Sequence, residues 1–256
     1  MVAASQHGSA TATVSQQVAT AASAGTGLSL TNRSNIVLLL TDDQDLRLGS
    51  MLAMPFTASH ITAAGANLSN FFVHTPICCP SRTTLLSGRY VHNNRVGGPH
   101  EGGCMRMNTS RIDNPAWWRG SFVTGLHDAG YVTGLIGKVL NVMESYGCDP
   151  SVGPEGSRLA PGVDQQAVMC TINYYDNLWS VGNASQGPGT TLRKTGSAPE
   201  DYTTSLVGNY TLDFVKAVVG RGVGHPPFFA WVGPHAPHLP STPAPWYSDH
   251  PVGQLL

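Results

Sequence analysis

Apolar residues fall along this chain in two kinds of run. Asn35-Ile-Val-Leu-Leu-Leu40 and Phe228-Phe-Ala-Trp-Val232 are short, continuous and end abruptly in polar text, the pattern of strands buried on both faces. Tyr131 to Ile136 reads as another strand, and Asn67 to Val73 as a further one. The second kind of run is periodic. Between Tyr202 and Val219, Leu206, Tyr210, Phe214 and Val218 recur every fourth residue, which predicts a helix with one apolar stripe. Helices are also expected over Pro55 to Ala64, stopped by Gly65, over Pro80 to Ser87, stopped by Gly88, and over Arg119 to Ala129, closed by Gly130. Cys148 to Pro199 is rich in Gly, Pro, Ser and Asn and reads as an irregular surface excursion. Strands alternating with helices imply an α/β sandwich on a mostly parallel sheet, without internal repeats.

Composition narrows the class. With 256 residues, 41% of them hydrophobic and 11% charged, residues 35–256 can bury one sizeable core. Residues 1–34, mostly Ala, Ser, Thr, Gln and Gly, suit a disordered lead-in and show no basic start or apolar stretch of a signal peptide. The formal charge of −1 leaves no broad basic field for nucleic acid, so an anion must be caught locally. The five-residue run Ile36 to Leu40 is far short of the roughly 20 residues needed to span a bilayer. Asn-x-Ser/Thr sequons at Asn32, Asn67, Asn108, Asn183 and Asn209 exceed the roughly two expected by chance and favour the secretory pathway. Of Cys78, Cys79, Cys104, Cys148 and Cys170, an odd number, one has a separate fate. The other four could form two disulfides of open connectivity; the short Pro/Gly-rich loop favours Cys148 with Cys170.

Reactive residues gather at four places. Thr41-Asp42-Asp43-Gln44-Asp45 follows the first strand, where open α/β sheets place ligands, and its paired carboxylates suit a hard cation rather than zinc. Acidic turns alone usually face solvent, and this one lacks the glycine of an EF-hand loop. Gly137-Lys138 follows a second strand and Pro234-His235-Ala-Pro237 a third. Between them lies Cys78-Cys-Pro-Ser-Arg-Thr-Thr-Leu-Leu-Ser-Gly-Arg89, whose cysteine precedes a helix and so meets its positive N-terminal end.

That last segment resembles the sulfatase signature, Cys-x-Pro-Ser-Arg followed by Ser or Thr-Gly, in every defined position. The resemblance implies an alkaline-phosphatase-like sandwich and a formylglycine made from Cys78, since Pro80, Ser81 and Arg82 set the register, with the formylglycine-generating enzyme as partner. It further implies that Asp42, Asp43 and residue 78 hold Ca²⁺ (Mg²⁺ is possible), with Asp45 left open, and that Arg82, Lys138 and His235 serve catalysis. A thiolate that attacked a sulfate ester would have no easy exit. A hydrated aldehyde has two hydroxyls on one carbon, one to attack sulfur and one to expel sulfate as the aldehyde re-forms, so one hard hydrolysis becomes two easier steps.

Lys138-Val-Leu-Asn141 departs from the family pattern, which often has a His two residues past the lysine, so the base is open; His92 is a candidate. This variant, with Cys78-Cys79, Glu101-Gly-Gly-Cys104 and Asn209-Tyr-Thr-Leu-Asp-Phe214, looks most like the N-acetylglucosamine-6-sulfatase and algal/plant-type arylsulfatase branch. The expected activity is hydrolysis of sulfated sugars or aryl sulfates; a phosphodiester or phosphonate hydrolase and an inactive fragment are the alternatives. The resemblance spans residues 35 to 250, about half of a usual sulfatase, and places further metal ligands, a second lysine and a C-terminal subdomain beyond Leu256. The chain alone is accordingly expected to be nearly inactive and to expose an apolar sheet edge. In cells with the modifying machinery, peptide mass spectrometry should find residue 78 as formylglycine; a thiol or disulfide at that position in every molecule would remove the nucleophile.

Overall fold

A computed structural model describes residues 33–94, 115–141, 143, 146–148 and 158–249. The expected lead-in, Cys104, and the sequons at Asn32 and Asn108 lie outside them. Six strands form one sheet: β1 (Ile36–Leu39), β2 (Val132–Gly137), β3 (Gln165–Met169), β4 (Leu178–Asn183), β5 (Thr191–Lys194) and β6 (Phe228–Gly233). Their spatial order is β1-β6-β2-β3-β4-β5. The first four in that order are mutually parallel, and β4 and β5 extend the sheet antiparallel. The three main helices are α1 (Cys78–Ser87), α2 (Phe122–Asp128) and α3 (Thr203–Val219).

Alternation along the central strands builds a core on each face of the sheet. Leu135 of β2 and Phe229 and Trp231 of β6 pack with Leu86 of α1, Val123 of α2 and Trp118 on one face. Ile136, Phe228, Ala230 and Val232 pack on the other against Val207, Phe214 and Val218 of α3. Each fully buried side chain of this size contributes about 1.5–3 kcal/mol. The result is the expected α/β sandwich.

Several local expectations are corrected. β1 is not buried on both faces: it is the last strand on its side, and Ile36, Val37 and Leu39 are exposed. Asn67 to Val73 forms no strand, because it pairs with no sheet edge, and Leu68, Phe71, Phe72 and Val73 stand in solvent. The helix expected from Arg119 starts at Phe122 instead, because the Ser121 hydroxyl accepts from the Thr124 amide and caps it. Pro55 to Ala64 is helical over Pro55–Thr57 and wider-turned over Ala58–Thr62. The excursion from Cys148 to Pro199 contains β3, β4 and β5; its Gly, Asn and Asp residues serve the links between strands, which masked the short apolar runs Gln165–Met169 and Leu178–Asn183. The disulfide favoured by loop length is present: Cys148 and Cys170 are bonded.

Two glycines let the carboxyl ends of β2 and β6 approach. Gly137 and Gly233 are paired in register, Gly137 has φ 82°, and the Lys138 amide donates to the Gly233 carbonyl at 2.7 Å. A Cβ on Gly137 would lie 2.2 Å from the Gly233 oxygen, and one on Gly233 would lie 2.1 Å from the Lys138 oxygen. Gly137→Ala should therefore destabilise the chain by roughly 2–4 kcal/mol in urea titration, from steric overlap and positive φ together. Gly125→Ala in α2, where a Cβ meets nothing within 4 Å, should stabilise by about 0.5–1 kcal/mol. Equal effects at the two positions would contradict the close approach.

Candidate active site

The three adjacent parallel strands β1, β6 and β2 end on the same edge of the sheet, so residues just past their ends are brought together. Asp42 follows β1, Lys138 follows β2 and His235 follows β6, and all three are buried. Asp42 is tied to the loop after β6, its amide donating to the Ala236 carbonyl at 3.2 Å. Helix α1 supplies the remaining members. Cys78 and Arg82 are four residues apart and share one helix face. Gly88 at φ 65° ends that helix in a left-handed cap.

Asp42 is the hub. Its Oδ1 accepts from Arg82 Nη2 at 3.2 Å, and its Oδ2 accepts from Lys138 Nζ. Lys138 Nζ also lies 3.4 Å from Cys78 Sγ. Arg82 Nη1 and Trp231 Nε1 both donate to the Lys138 carbonyl, at 2.6 and 3.1 Å. His235 Nδ1 lies 3.6 Å from Asp42 Oδ2 and is buried without a hydrogen-bond partner. Burial by itself would raise the Asp42 carboxyl, but the ring nitrogen of His235 and the charges of Lys138 and Arg82 outweigh it and hold the group well below the usual carboxylate range. Burial pushes the Cys78 thiol up; Lys138 opposes that shift and Asp42 adds to it. At neutral pH the unmodified thiol is therefore protonated and a poor nucleophile.

The remaining expected residues are placed differently. Asp43 adopts φ 60°, which sends the two neighbouring carboxylates apart: Asp42 points inward, and Asp43 is half exposed and 3.6 Å from His238 Nε2. Asp45 accepts from the Arg47 amide, and the Gln44 amide nitrogen contacts the Met54 sulfur at 3.0 Å. His92 is exposed and stacks on Tyr90, which in turn meets His74. Cys79 is buried and disulfide-bonded, which leaves Cys78 as the free cysteine of the pair.

Two members were not identified from the sequence. His238 stacks on His235 with ring centroids 4.7 Å apart, and Asp42, Cys78 and His238 offer ligand atoms within 4.8 Å of one another. The Tyr174 ring lies 4.8 Å from that of His235, and its hydroxyl donates to the His238 carbonyl at 2.6 Å. Burial, then Tyr202 and the two aspartates, push the Tyr174 phenol up to about 12, so it stays a donor. A second histidine three residues after His235 was a visible signal for His238. Nothing in the text around Tyr174 pointed to the site.

This donor set, the carboxylate oxygens of Asp42 and Asp43, is of the kind a hard cation prefers. It supplies only part of the six to eight oxygens Ca²⁺ takes.

Residues 34–254 match the family model described as Sulfatase. The chain is 33% identical over 219 residues to N-acetylglucosamine-6-sulfatase of Homo sapiens, covering 85% of this chain and 36% of that protein. It is 32% identical over 220 residues to the extracellular sulfatase SULF-1 homolog of Drosophila melanogaster, covering 84% and 17%, and 32% identical over 219 residues to arylsulfatase of Volvox carteri, covering 80% and 29%. It thus spans about a sixth to a third of these relatives' lengths. Among solved structures, a protein in complex with its substrate D-glucosamine-2-N,6-O-disulfate superposes with a TM-score of 0.60 at 20% identity, covering 84% of this chain and 37% of that one. This likeness concerns the fold.

The buried cluster has a stability signature. Asp42→Asn would leave Lys138 and Arg82 buried against a neutral amide and should cost about 3–5 kcal/mol in urea titration. Because the folded carboxyl is depressed, Asp42's contribution is complete above its unfolded value of about 4 and is lost as pH falls below it. The acid limb of the wild-type stability curve should therefore be steeper than that of Asp42→Asn. Parallel limbs would show that Asp42 is not held ionised by its neighbours.

Proposed function

Because the chain belongs to the sulfatase family, we propose that it carries the nucleophile half of a sulfate-ester hydrolase centre, with residue 78 as formylglycine and Arg82, Lys138 and His235 as the groups that act on the sulfate. The observation that supports this most is the meeting of Cys78, Lys138, Arg82 and His235 around one ionised carboxylate at the start of a helix. Hydrated formylglycine supplies two hydroxyls on one carbon, and a hard cation held by Asp42, Asp43 and residue 78 supplies positive charge near the sulfate oxygens.

The chain's own groups have separable roles. Lys138 Nζ, already 3.4 Å from the residue 78 side chain, donates to an anion formed there. Arg82 is engaged with Asp42 and the Lys138 carbonyl, so it holds the lysine in place and adds charge behind it. The N-terminus of α1, which has no side-chain cap, begins at residue 78 and brings the positive end of the helix to the site. His235 Nδ1 faces Asp42, which orients the ring as the candidate proton donor to the leaving oxygen. Asp42 stays ionised throughout.

Sulfated sugars, with N-acetylglucosamine 6-sulfate among them, and aryl sulfates are the proposed substrates, by analogy with the N-acetylglucosamine-6-sulfatase and arylsulfatase relatives. Passage through the secretory pathway fits the Cys148–Cys170 disulfide and the Drosophila relative's description as extracellular. No helix among the described residues is long and apolar enough to cross a membrane.

Sulfate and phosphate esters of one phenol, assayed side by side with a form of the protein that turns over, test the proposal. Sulfate turnover should exceed phosphate turnover, and Cys78→Ala should remove it by several orders of magnitude. Lys138→Ala should lower kcat more than it raises KM. Preference for the phosphate ester would transfer the site to the phosphodiester and phosphonate hydrolases. Sulfate turnover that survives Cys78→Ala would place the nucleophile elsewhere.

A further inference from the structure

The β4–β5 side of the sheet, at the other end of the strand order from β1, carries a second concave feature. A groove of about 700 Å³ runs between β3 to β5 and α3, lined by Gln165, Asn183, Gln186, Arg193, Tyr210 and Asp213 among others. Register explains the grouping. Gln165 pairs with Asn183 and Trp179 with Arg193, so these side chains share the face that α3 partly covers. Tyr210 leans on Trp179 with ring centroids 5.4 Å apart, and Arg193 donates to its hydroxyl at 3.3 Å.

Asn183 heads the sequon Asn183-Ala-Ser185. The Ser185 amide and hydroxyl both donate to Asn183 Oδ1, at 3.0 and 2.8 Å. Its Nδ2 has only a 3.4 Å contact with Gln165 Oε1. The oxygen of this amide is committed and the nitrogen is nearly free, at the wall of a polar groove.

We propose that Asn183 carries an N-linked glycan whose first sugar, an N-acetylhexosamine, is seated in this groove. Such a sugar has an apolar ring face, hydroxyls and an acetamido group, and the groove offers the Tyr210 ring, the amides of Gln165 and Gln186, the Asp213 carboxylate and the Arg193 guanidinium. Covalent attachment keeps the sugar at high effective concentration, so contacts too weak to capture free saccharide suffice. In the transfer, Asn183 Nδ2 forms a bond to the anomeric carbon of a lipid-linked oligosaccharide diphosphate. The bond from that carbon to the diphosphate oxygen breaks, the polyprenyl diphosphate leaves with the electron pair, and the amide loses one proton.

The inference rests on the secretory reading, and its test separates the two. The chain is secreted from a eukaryotic host behind an added leader, and its sequon peptides are mapped by mass spectrometry. Asn183 should be occupied, Ser185→Thr should keep the glycan and Ser185→Ala should abolish it. Trimming to the first sugar should leave Tm unchanged, whereas Ser185→Ala should lower Tm by about 2–4 °C relative to Ser185→Thr. In the Tyr210→Ala background that gap should close. An unmodified Asn183 beside glycosylated Asn67 and Asn209, both exposed, would overturn the proposal. An occupied Asn183 with no Tm gap would overturn the seating. Occupancy in the secreting host, together with bare sequons in the protein from its own cells, would overturn the secretory reading while upholding the site.

Discussion

A single buried carboxylate organises the carboxyl edge of the sheet. Burying one charge costs several kcal/mol, and Lys138 and Arg82 are both buried beside Asp42. None of the three is tolerable alone. Two cations sharing one anion leave the cluster net positive, and that excess is what a tetrahedral anion would complete. The same contacts tie the end of β1, the end of β2 and the first turns of α1 into one unit, reinforced by the Lys138 carbonyl, which accepts from both Arg82 and Trp231.

Parallel topology makes the cluster possible. In the order β1-β6-β2 all three strands leave the sheet at the same edge, about 5 Å apart. The glycine pair at 137 and 233 draws two of these ends closer than side chains would permit, and Lys138 follows directly from that approach. Of the Cys78 to Arg89 segment, only some residues meet the site. Arg82 reaches Asp42, Gly88 ends the helix, and Ser87 joins Asn94 of the short helix that follows (Val91–Asn94) through its hydroxyl. The motif therefore specifies a helix and its ends as much as a set of reacting groups.

The opposite character prevails beside β1. Ile36, Val37 and Leu39 on the strand, and Leu48, Phe56, Phe71 and Phe72 in the segment that follows it, are exposed. So many exposed large apolar side chains, on an edge strand and in the segment that follows it, are unlike the few scattered hydrophobics of an ordinary surface. At the site, Asp43 is half exposed and His238 partly exposed, whereas Asp42, Lys138 and His235 are buried.

Short-range pattern was sufficient for the central strands and for α3 with its four-residue stripe, because periodicity is a property of neighbouring residues, whereas the residues of the buried cluster were named through the resemblance that the Cys78 to Arg89 motif carries. Cys78, Arg82, Lys138, Asp42 and His235 could be named in advance, and the structure brings them together. Other features depended on what lay next to each segment in space. Ile36 to Leu40 looks like a buried strand in any text, yet its exposure was decided by its place at the sheet edge. Asn67 to Val73 had strand composition and no partner. The strands from Gln165 to Lys194 were hidden among turn residues because each is too short to be recognised without its neighbour. Asp42 and Asp43 are equal in sequence, and only a left-handed turn sends one inward and the other out. Tyr174 and His238 joined the site through contacts between distant segments, which composition and spacing do not encode, whereas the chemistry of the charged cluster was already written in its residue types.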